Sequence, residues 1–419
     1  MKNFILALSL LSFSINSFSQ FKNIKVADDA FNPSIAIDKK NSEHITVGVA
    51  PNQIIATNDG GKTWKSSQLK SSLGFGGEPL VTSTVKGNLL YIHLGNSTTA
   101  EFAERIVAQT FDEEYSAWSD GVSIGNASTN PAWLQTSVHN KKNEVLLTWT
   151  QFDKYKSSDT ILRSNIMFSK SSNGNKWSQP TQLNQLSGDC LDDDNTAAGA
   201  SSAIDLEGRL YVIWANRNHL YLNRAYDGSN WLSNNLTIYK QEGGSSFTIE
   251  GVKRANGLPS FFIDNSSLNT KGTLHLVWGE QKNEGDADVW YMRSRNRGDI
   301  WSKPLRVNQD EKGHEQFFPR MAFDQIKGNI YVVYYDRRNY DDLQTDVYLA
   351  YSFNGGTSFS EIKISESPFI PDASIFVDNR IGIDAHDGII APIWTRIDNG
   401  KTSVWTVIIK EEDLKESKK

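Results

Sequence analysis

Short apolar runs separated by turn residues fill the chain, and two kinds of run alternate along it. The first kind often opens at a proline, a place where a strand tolerates the missing N–H. It recurs as Pro33 to Asp38, Pro79 to Val81, Pro131 to Trp133, Pro259 to Asp264 and Pro319 to Asp324. The second kind is more uniformly apolar, as expected of strands covered on both faces. It recurs as Ile45 to Val49, Leu89 to Leu94, Val145 to Trp149, Leu210 to Trp214, Leu274 to Trp278 and Ile330 to Tyr335. A turn unit follows the pairs. Its clearest copy is Thr57-Asn58-Asp59-Gly60-Gly61-Lys62-Thr63-Trp64, with good copies over Ser294 to Trp301 and Ser352 to Phe359. Worn copies cover Ser172 to Trp177 and Tyr226 to Trp231, and the weakest ends at Trp118 without a glycine.

The closing aromatics are spaced by 54 to 70 residues, the scale of a four-stranded propeller blade. A seventh copy without a clear turn unit runs through Ile381 to Asp384, Ile389 to Trp394 and Ser403 to Ile409. The pattern predicts an all-β, seven-bladed β-propeller, with six blades as the alternative if two worn copies merge. The last copy ends after a third strand, and a lone alternating segment, Asn23 to Val26, precedes the first copy. That segment is expected to supply the missing strand and close the ring, protecting sheet edges that would otherwise lie open. One domain is therefore expected over 20–410, with a charged, frayed tail over 411–419.

Composition adds three points. There are 12 Trp, 20 Phe, 14 Tyr and 30 Gly but a single Cys, so packing and ring closure must do what disulfides do elsewhere. The balance of 43 Lys and Arg against 49 Asp and Glu gives no reason to expect nucleic acid. Met1-Lys2-Asn3, an apolar run from Phe4 to Leu11, and small Ser17 and Ser19 read as a signal peptide over 1–19. A secreted or periplasmic monomer without a membrane span is expected.

The turn unit explains its own residues. A hydroxyl and a carboxylate or amide can bond the backbone of a tight turn, glycine takes a positive φ, and the indole packs between sheets. This unit resembles the Asp box, Ser/Thr-x-Asp-x-Gly-x-Thr-Trp, and the chain is similar to Asp-box (BNR) propellers of the sialidase-like superfamily, particularly secreted bacterial proteins labelled sialidase family. The resemblance implies a glycan-active propeller, a sialidase-like glycoside hydrolase on an acidic saccharide. Alternatives are a non-catalytic glycan-binding or protein-interaction propeller, or a polysaccharide lyase. In sialidases it implies an arginine triad, a Tyr–Glu nucleophile pair and an aspartate acid. Arg-Ile-Pro, which carries the first of those arginines, is absent, and the first arginine here is Arg105.

Propeller geometry then sorts candidates. The Asp-box turns join the third and outermost strands of a blade, on the face opposite the usual binding mouth. At that mouth, Asp336, Glu78 and Glu280 are the expected acid and base groups. Arg337, Arg338, Arg320, Arg380 and Arg396, with His314, His93 and Tyr335, are the expected substrate contacts, because guanidinium forks match carboxylate or sulfate. Extracellular carbohydrate is the expected partner. No cofactor or metal is assigned; the Asp192-Asp193-Asp194 run is the only segment suggesting calcium, and it lacks the spacing of a known calcium loop.

Overall fold

Each copy of the repeat forms one antiparallel sheet, and seven such sheets surround a central axis in the computed structural model. The structure describes residues 21–416, apart from 85, 97–101, 113, 126–129, 140–141, 227–228, 267, 283–284 and 376–380. The expected signal peptide and Arg380 lie outside the described residues.

With strands lettered A to D outward from the axis, blade 1 comprises Phe31–Ile37, Ile45–Ala50, Gln53–Thr57 and Lys65–Gln68. The A strands of blades 2 to 7 are Gly77–Ser83, Asn130–His139, Ala198–Ile204, Ser260–Ile263, Gln316–Asp324 and Gly382–His386. The B strands carry the core. Ile45–Ala50, Leu210–Asn216 and Asn329–Asp336 are buried at every position, because a neighbouring blade covers each face. Closure follows the expected route: Ile24–Asp28 pairs antiparallel with Lys401–Thr406 and becomes the D strand of blade 7. The tail differs from expectation in its first part. Glu411–Glu416 is a short helix whose Leu414 is fully buried, and Glu411 accepts the Asn329 amide at 2.7 Å.

The turn units are C–D connections, and their bonds are as the residue types require. Thr57 Oγ1 accepts the Gly61 N–H at 3.0 Å, Asp59 accepts the Thr63 N–H at 2.9 Å, and the Trp64 indole donates to the Gly61 carbonyl at 3.0 Å. The indoles of Trp177 and Trp301 repeat that last bond to Gly174 and Gly298. In the blade 3 copy the hydroxyl belongs to Ser171, one residue before the expected start, and accepts the Gly174 N–H at 2.8 Å.

At the axis the A strands have no further strand to pair with, so side chains of the preceding blade satisfy some of their N–H groups. Ser34 accepts from Val81, Glu78 from Leu134, Ser201 from Phe261, Ser260 from Met321, and Asp384 from Ile37, at 2.8 to 3.1 Å. The A strands enclose a channel of about 410 Å³.

Candidate functional site

The upper mouth of the channel is shaped by breaks in the A strands. Five of them lose register near their first residues, at Phe31/Ser34, Gly77/Leu80, Ala132/Gln135, Ala198/Ser201 and Phe317/Arg320. Inside each break one residue has positive φ: Asn32, Glu78, Trp133, Gly199 and Phe318. A bulge of this kind re-aims a side chain and is over-represented beside active sites. At Gly199 a Cβ would come within 2.8 Å of Leu258, which explains that glycine.

One part of this mouth gathers chemistry from three connections. Tyr155, in the B–C loop of blade 3, donates to Asp192 Oδ2 at 2.5 Å. Asp192 lies in the connection from blade 3 to blade 4 and itself has positive φ. Arg254 comes from a hairpin, Ser246–Ile249 with Val252–Asn256, inserted between blades 4 and 5. Its guanidinium forms an ion pair with Asp192, donates to the Tyr155 oxygen at 3.4 Å, and lies 4.5 Å from the Trp133 ring centre. The Asp192 side chain is only 2% exposed, and that of Arg254 is 20% exposed. Burial pushes the Asp192 carboxyl above the usual carboxylate range, against the pull of Arg254, Tyr155 and Lys156; the nearby Glu78 charge pushes the same way as burial. Phe152 and Phe102 meet the Tyr155 ring edge-on at 5.0 and 5.1 Å and fix its plane. A phenol bonded to a carboxyl that can take its proton, with a guanidinium beside the phenol oxygen, is suited to nucleophilic or general-base work.

The residues expected from sequence are spread over several places. Glu78 joins the cluster just described through its field on Asp192, while its Oε2 accepts the Leu134 N–H at 3.1 Å. Asp336 is fully enclosed at the end of a B strand and bonds Arg338 through Nε at 2.9 Å and Nη2 at 2.6 Å. Arg338 also pairs with Glu361 and lies 4.2 Å over Tyr348. Burial pushes Asp336 up to about 6 despite that partner. Burial opposes the Arg338 charge too, but Glu361 and Asp336 outweigh it and raise the guanidinium. The two shifts differ in cause: burial raises the carboxyl, and two carboxylate partners raise the guanidinium.

Arg337, 2% exposed, donates to the Glu250 carbonyl at 2.7 Å and sits 3.5 Å from Glu315. It braces the turn of the hairpin that carries Arg254. The backbone of His314, next to Glu315, donates to Asp286 at 3.3 Å. Glu280 is fully buried and accepts from Glu242 N–H, the Trp278 indole and the Tyr239 hydroxyl at 2.5, 3.0 and 3.1 Å. Tyr335 is also fully buried, and its hydroxyl donates to the Thr395 carbonyl at 2.8 Å, tying blade 6 to blade 7. His93 stacks on Phe75 at 4.4 Å, and burial pushes it down to about 4. Arg320 lines the channel, and Arg396 is forked on Asp398 at 2.7 Å. The acidic run goes to separate partners: Asp194 accepts two N–H groups of the hairpin root, Ser245 and Ser246, and Asp193 accepts that of Asn195.

Sequence reasoning missed Arg254 and Trp133 as site residues; it also left Tyr155 out of the expected acid, base and substrate contacts and named Asp192 only in the acidic run. The signal for the first was the 70-residue interval between Trp231 and Trp301, which has room for an inserted hairpin. No local signal marks Trp133, whose position depends on the bulge.

No family model matches the chain, and no curated protein matches its sequence. Solved structures with the same fold do exist. A PL25 polysaccharide lyase, an ulvan lyase bound to -[GlcA(1-4)Rha3S]-, superposes with a TM-score of 0.59 at 14% identity, over 94% of this chain and 99% of its own. A protein of unknown function from Dyadobacter fermentans gives 0.53 at 10% identity, over 94% and 100%. The Penicillium chrysogenum α-L-arabinanase complexed with arabinobiose gives 0.50 at 12% identity, over 93% and 98%. Sialidases are similar at scores below 0.5. The chain is thus a seven-bladed β-propeller whose fold is similar to that of several glycan-active enzymes.

Proposed function

We propose that this chain is an exported enzyme that cleaves an acidic extracellular saccharide at the upper mouth of its channel. Tyr155 passes its proton to Asp192, and its oxygen then acts on the sugar as nucleophile or base. Arg254 stabilises the resulting phenolate and faces the substrate's carboxylate or sulfate. Tyr155 provides ring surface for a sugar, the buried Trp133 ring supports the Arg254 guanidinium, and Glu78 holds the bulge beside them.

The observation that carries this reading is the convergence of three separate connections on the Tyr155–Asp192–Arg254 contact. The saccharides named with the similar lyase and arabinanase are consistent with it. The charged start, apolar run and small residues of 1–19 support export.

The test is mass spectrometry of acidic and neutral polysaccharides incubated with the mature protein, beside Tyr155→Phe and Asp192→Asn. Products that fall by about a hundredfold or more in both variants support the reading. Product masses separate hydrolysis from elimination. Binding without products would replace the enzyme reading with a glycan-binding mouth, and products unchanged in both variants would move the chemistry elsewhere.

A further inference from the structure

We infer a second saccharide site, on the lower face between blades 1 and 2, created by the loss of one glycine turn. It draws on the proposed function only for the class of ligand; the groove itself stands on separate observations.

In the intact copies the glycine of each turn seats against the preceding blade. A Cβ at Gly61 would lie 2.9 Å from Ile408 of blade 7, one at Gly174 would lie 2.6 Å from Leu90 and 2.7 Å from Thr110 of blade 2, and one at Gly298 would clash with Leu222 of blade 4. Gly356 sits closer still, against Tyr291 of blade 5. Blade 2 has no such turn. Its C strand doubles back directly, with Phe111 opposite Trp118 and Asp112 opposite Ala117.

The register shows which residues of blade 1 such a turn would have met. Ile37 pairs with Ile45 as Ser83 pairs with Leu89, and Thr46 pairs with Ala56 as Leu90 pairs with Thr110. Thr46 and Ala56 are therefore the blade 1 equivalents of the two residues on which Gly174 rests. Both line a groove of about 1170 Å³, against about 410 Å³ for the central channel.

The lining indicates the ligand. Trp118 is half-buried, set edge-on to Tyr91 at 6.3 Å, and contributes an aromatic wall. Tyr115, in the same turn, is 72% exposed. Asn58, Asn88, Asn173 and Ser66 add amide and hydroxyl groups, which can both donate and accept towards sugar hydroxyls. Lys40, Lys65 and Lys86 are matched by Asp38, Asp112 and Glu114, so the lining has no net charge. An uncharged oligosaccharide fits these features better than the acidic one expected at the upper mouth. The hydroxyl of Tyr91, beneath Trp118, is buried without a hydrogen-bond partner among the described residues.

The experiment is calorimetric titration of the full mature chain with cellohexaose, xylohexaose and arabinohexaose. Ser66→Trp, which fills the groove from an exposed strand position, and Tyr155→Phe at the upper mouth are run in parallel. Melting curves confirm that both variants fold. The expected result is binding of at least one hexasaccharide, unchanged in Tyr155→Phe and about tenfold weaker in Ser66→Trp, a difference of about 1.4 kcal/mol. No binding of any of the three, or equal binding in Ser66→Trp, overturns the groove. Binding lost only in Tyr155→Phe also overturns it, by assigning neutral sugar to the upper mouth. Cleavage of acidic substrate is read separately, so either site can fail without the other.

Discussion

Blade 6 and the junction of blades 3 to 5 each bring an aspartate, an arginine and a tyrosine together at the upper mouth, and they differ in what surrounds the guanidinium. In blade 6, Arg338 lies between Asp336 and Glu361, and the Tyr334 hydroxyl donates to Glu361 at 2.6 Å. All four residues belong to one blade, and strand pairing fixes their spacing. At the junction, Arg254 has Asp192 and Tyr155 as partners, and each of the three residues stands on a different connection. Similar groups thus make a framework in one place and a site in the other. The framework comes from consecutive strands of one sheet, whereas the site comes from loops that a rigid scaffold positions.

The largest effect should come from breaking the framework. Arg338→Met leaves two buried carboxylates without their shared partner and is expected to cost about 3–5 kcal/mol of stability. Arg254→Met deprives one carboxylate of its partner rather than two, so its stability cost should be smaller while cleavage is lost. Urea unfolding of both variants, with product assays under folding conditions, checks the pair. An equal stability cost in the two would erase the distinction.

The same contrast explains what the sequence made legible. The fold was readable because an apolar B strand recurs in every blade, and a glycine turn with a closing aromatic recurs in most of them. Even the ring closure by Ile24–Asp28 could be inferred from a missing strand. The A strand of blade 4, Ala198–Ile204, escaped notice because it has neither a leading proline nor β-branched residues in most positions, being built of small residues that line the channel. The site was less legible, because charge at a strand end says nothing of which partner it meets. Asp336 and Glu280 stand where the propeller mouth was expected, yet Trp278, Tyr239 and Arg338 occupy their oxygens. Arg254 depends on a hairpin insertion, and Trp133 on a bulge, neither of which leaves a periodic trace.

Acid titration should separate framework groups by sign. His93 is depressed to about 4 by burial, below its unfolded value of about 6.5, so the unfolded chain takes up a proton that the folded chain refuses. That contribution is complete above pH about 6.5 and is lost as pH falls towards 4, at about 1.4 kcal/mol per unit of displacement. Asp336 is raised to about 6, so its protonation favours the folded state as pH falls from about 6 towards 4. The two oppose each other. Asp336→Asn should therefore steepen the acid loss of stability between pH 6 and 4, and His93→Gln should flatten it, as read from urea midpoints across that range. Identical slopes in both variants and the parent would remove these groups from the acid limb.

The smallest stability effects should give the sharpest comparison, because the two tyrosines make similar bonds. Tyr334 donates to Glu361 at 2.6 Å and Tyr155 to Asp192 at 2.5 Å. Removing a hydroxyl bonded to a charged group costs about 1.5–3 kcal/mol where the acceptor is left buried. Tyr334→Phe is expected to lie in that range, since Tyr334 is fully buried and Glu361 Oε2 then keeps Arg338 as its partner among the described residues. Tyr155→Phe should lie at or below its lower end, because Asp192 can answer the loss by protonation. The activities should order the other way. Tyr334→Phe should leave product formation within about twofold of the parent, and Tyr155→Phe should reduce it by about a hundredfold or more, the range for losing a positioned acid–base group. Were Tyr334→Phe to lose activity as Tyr155→Phe does, blade 6 would be part of the site and the division between framework and site would fail.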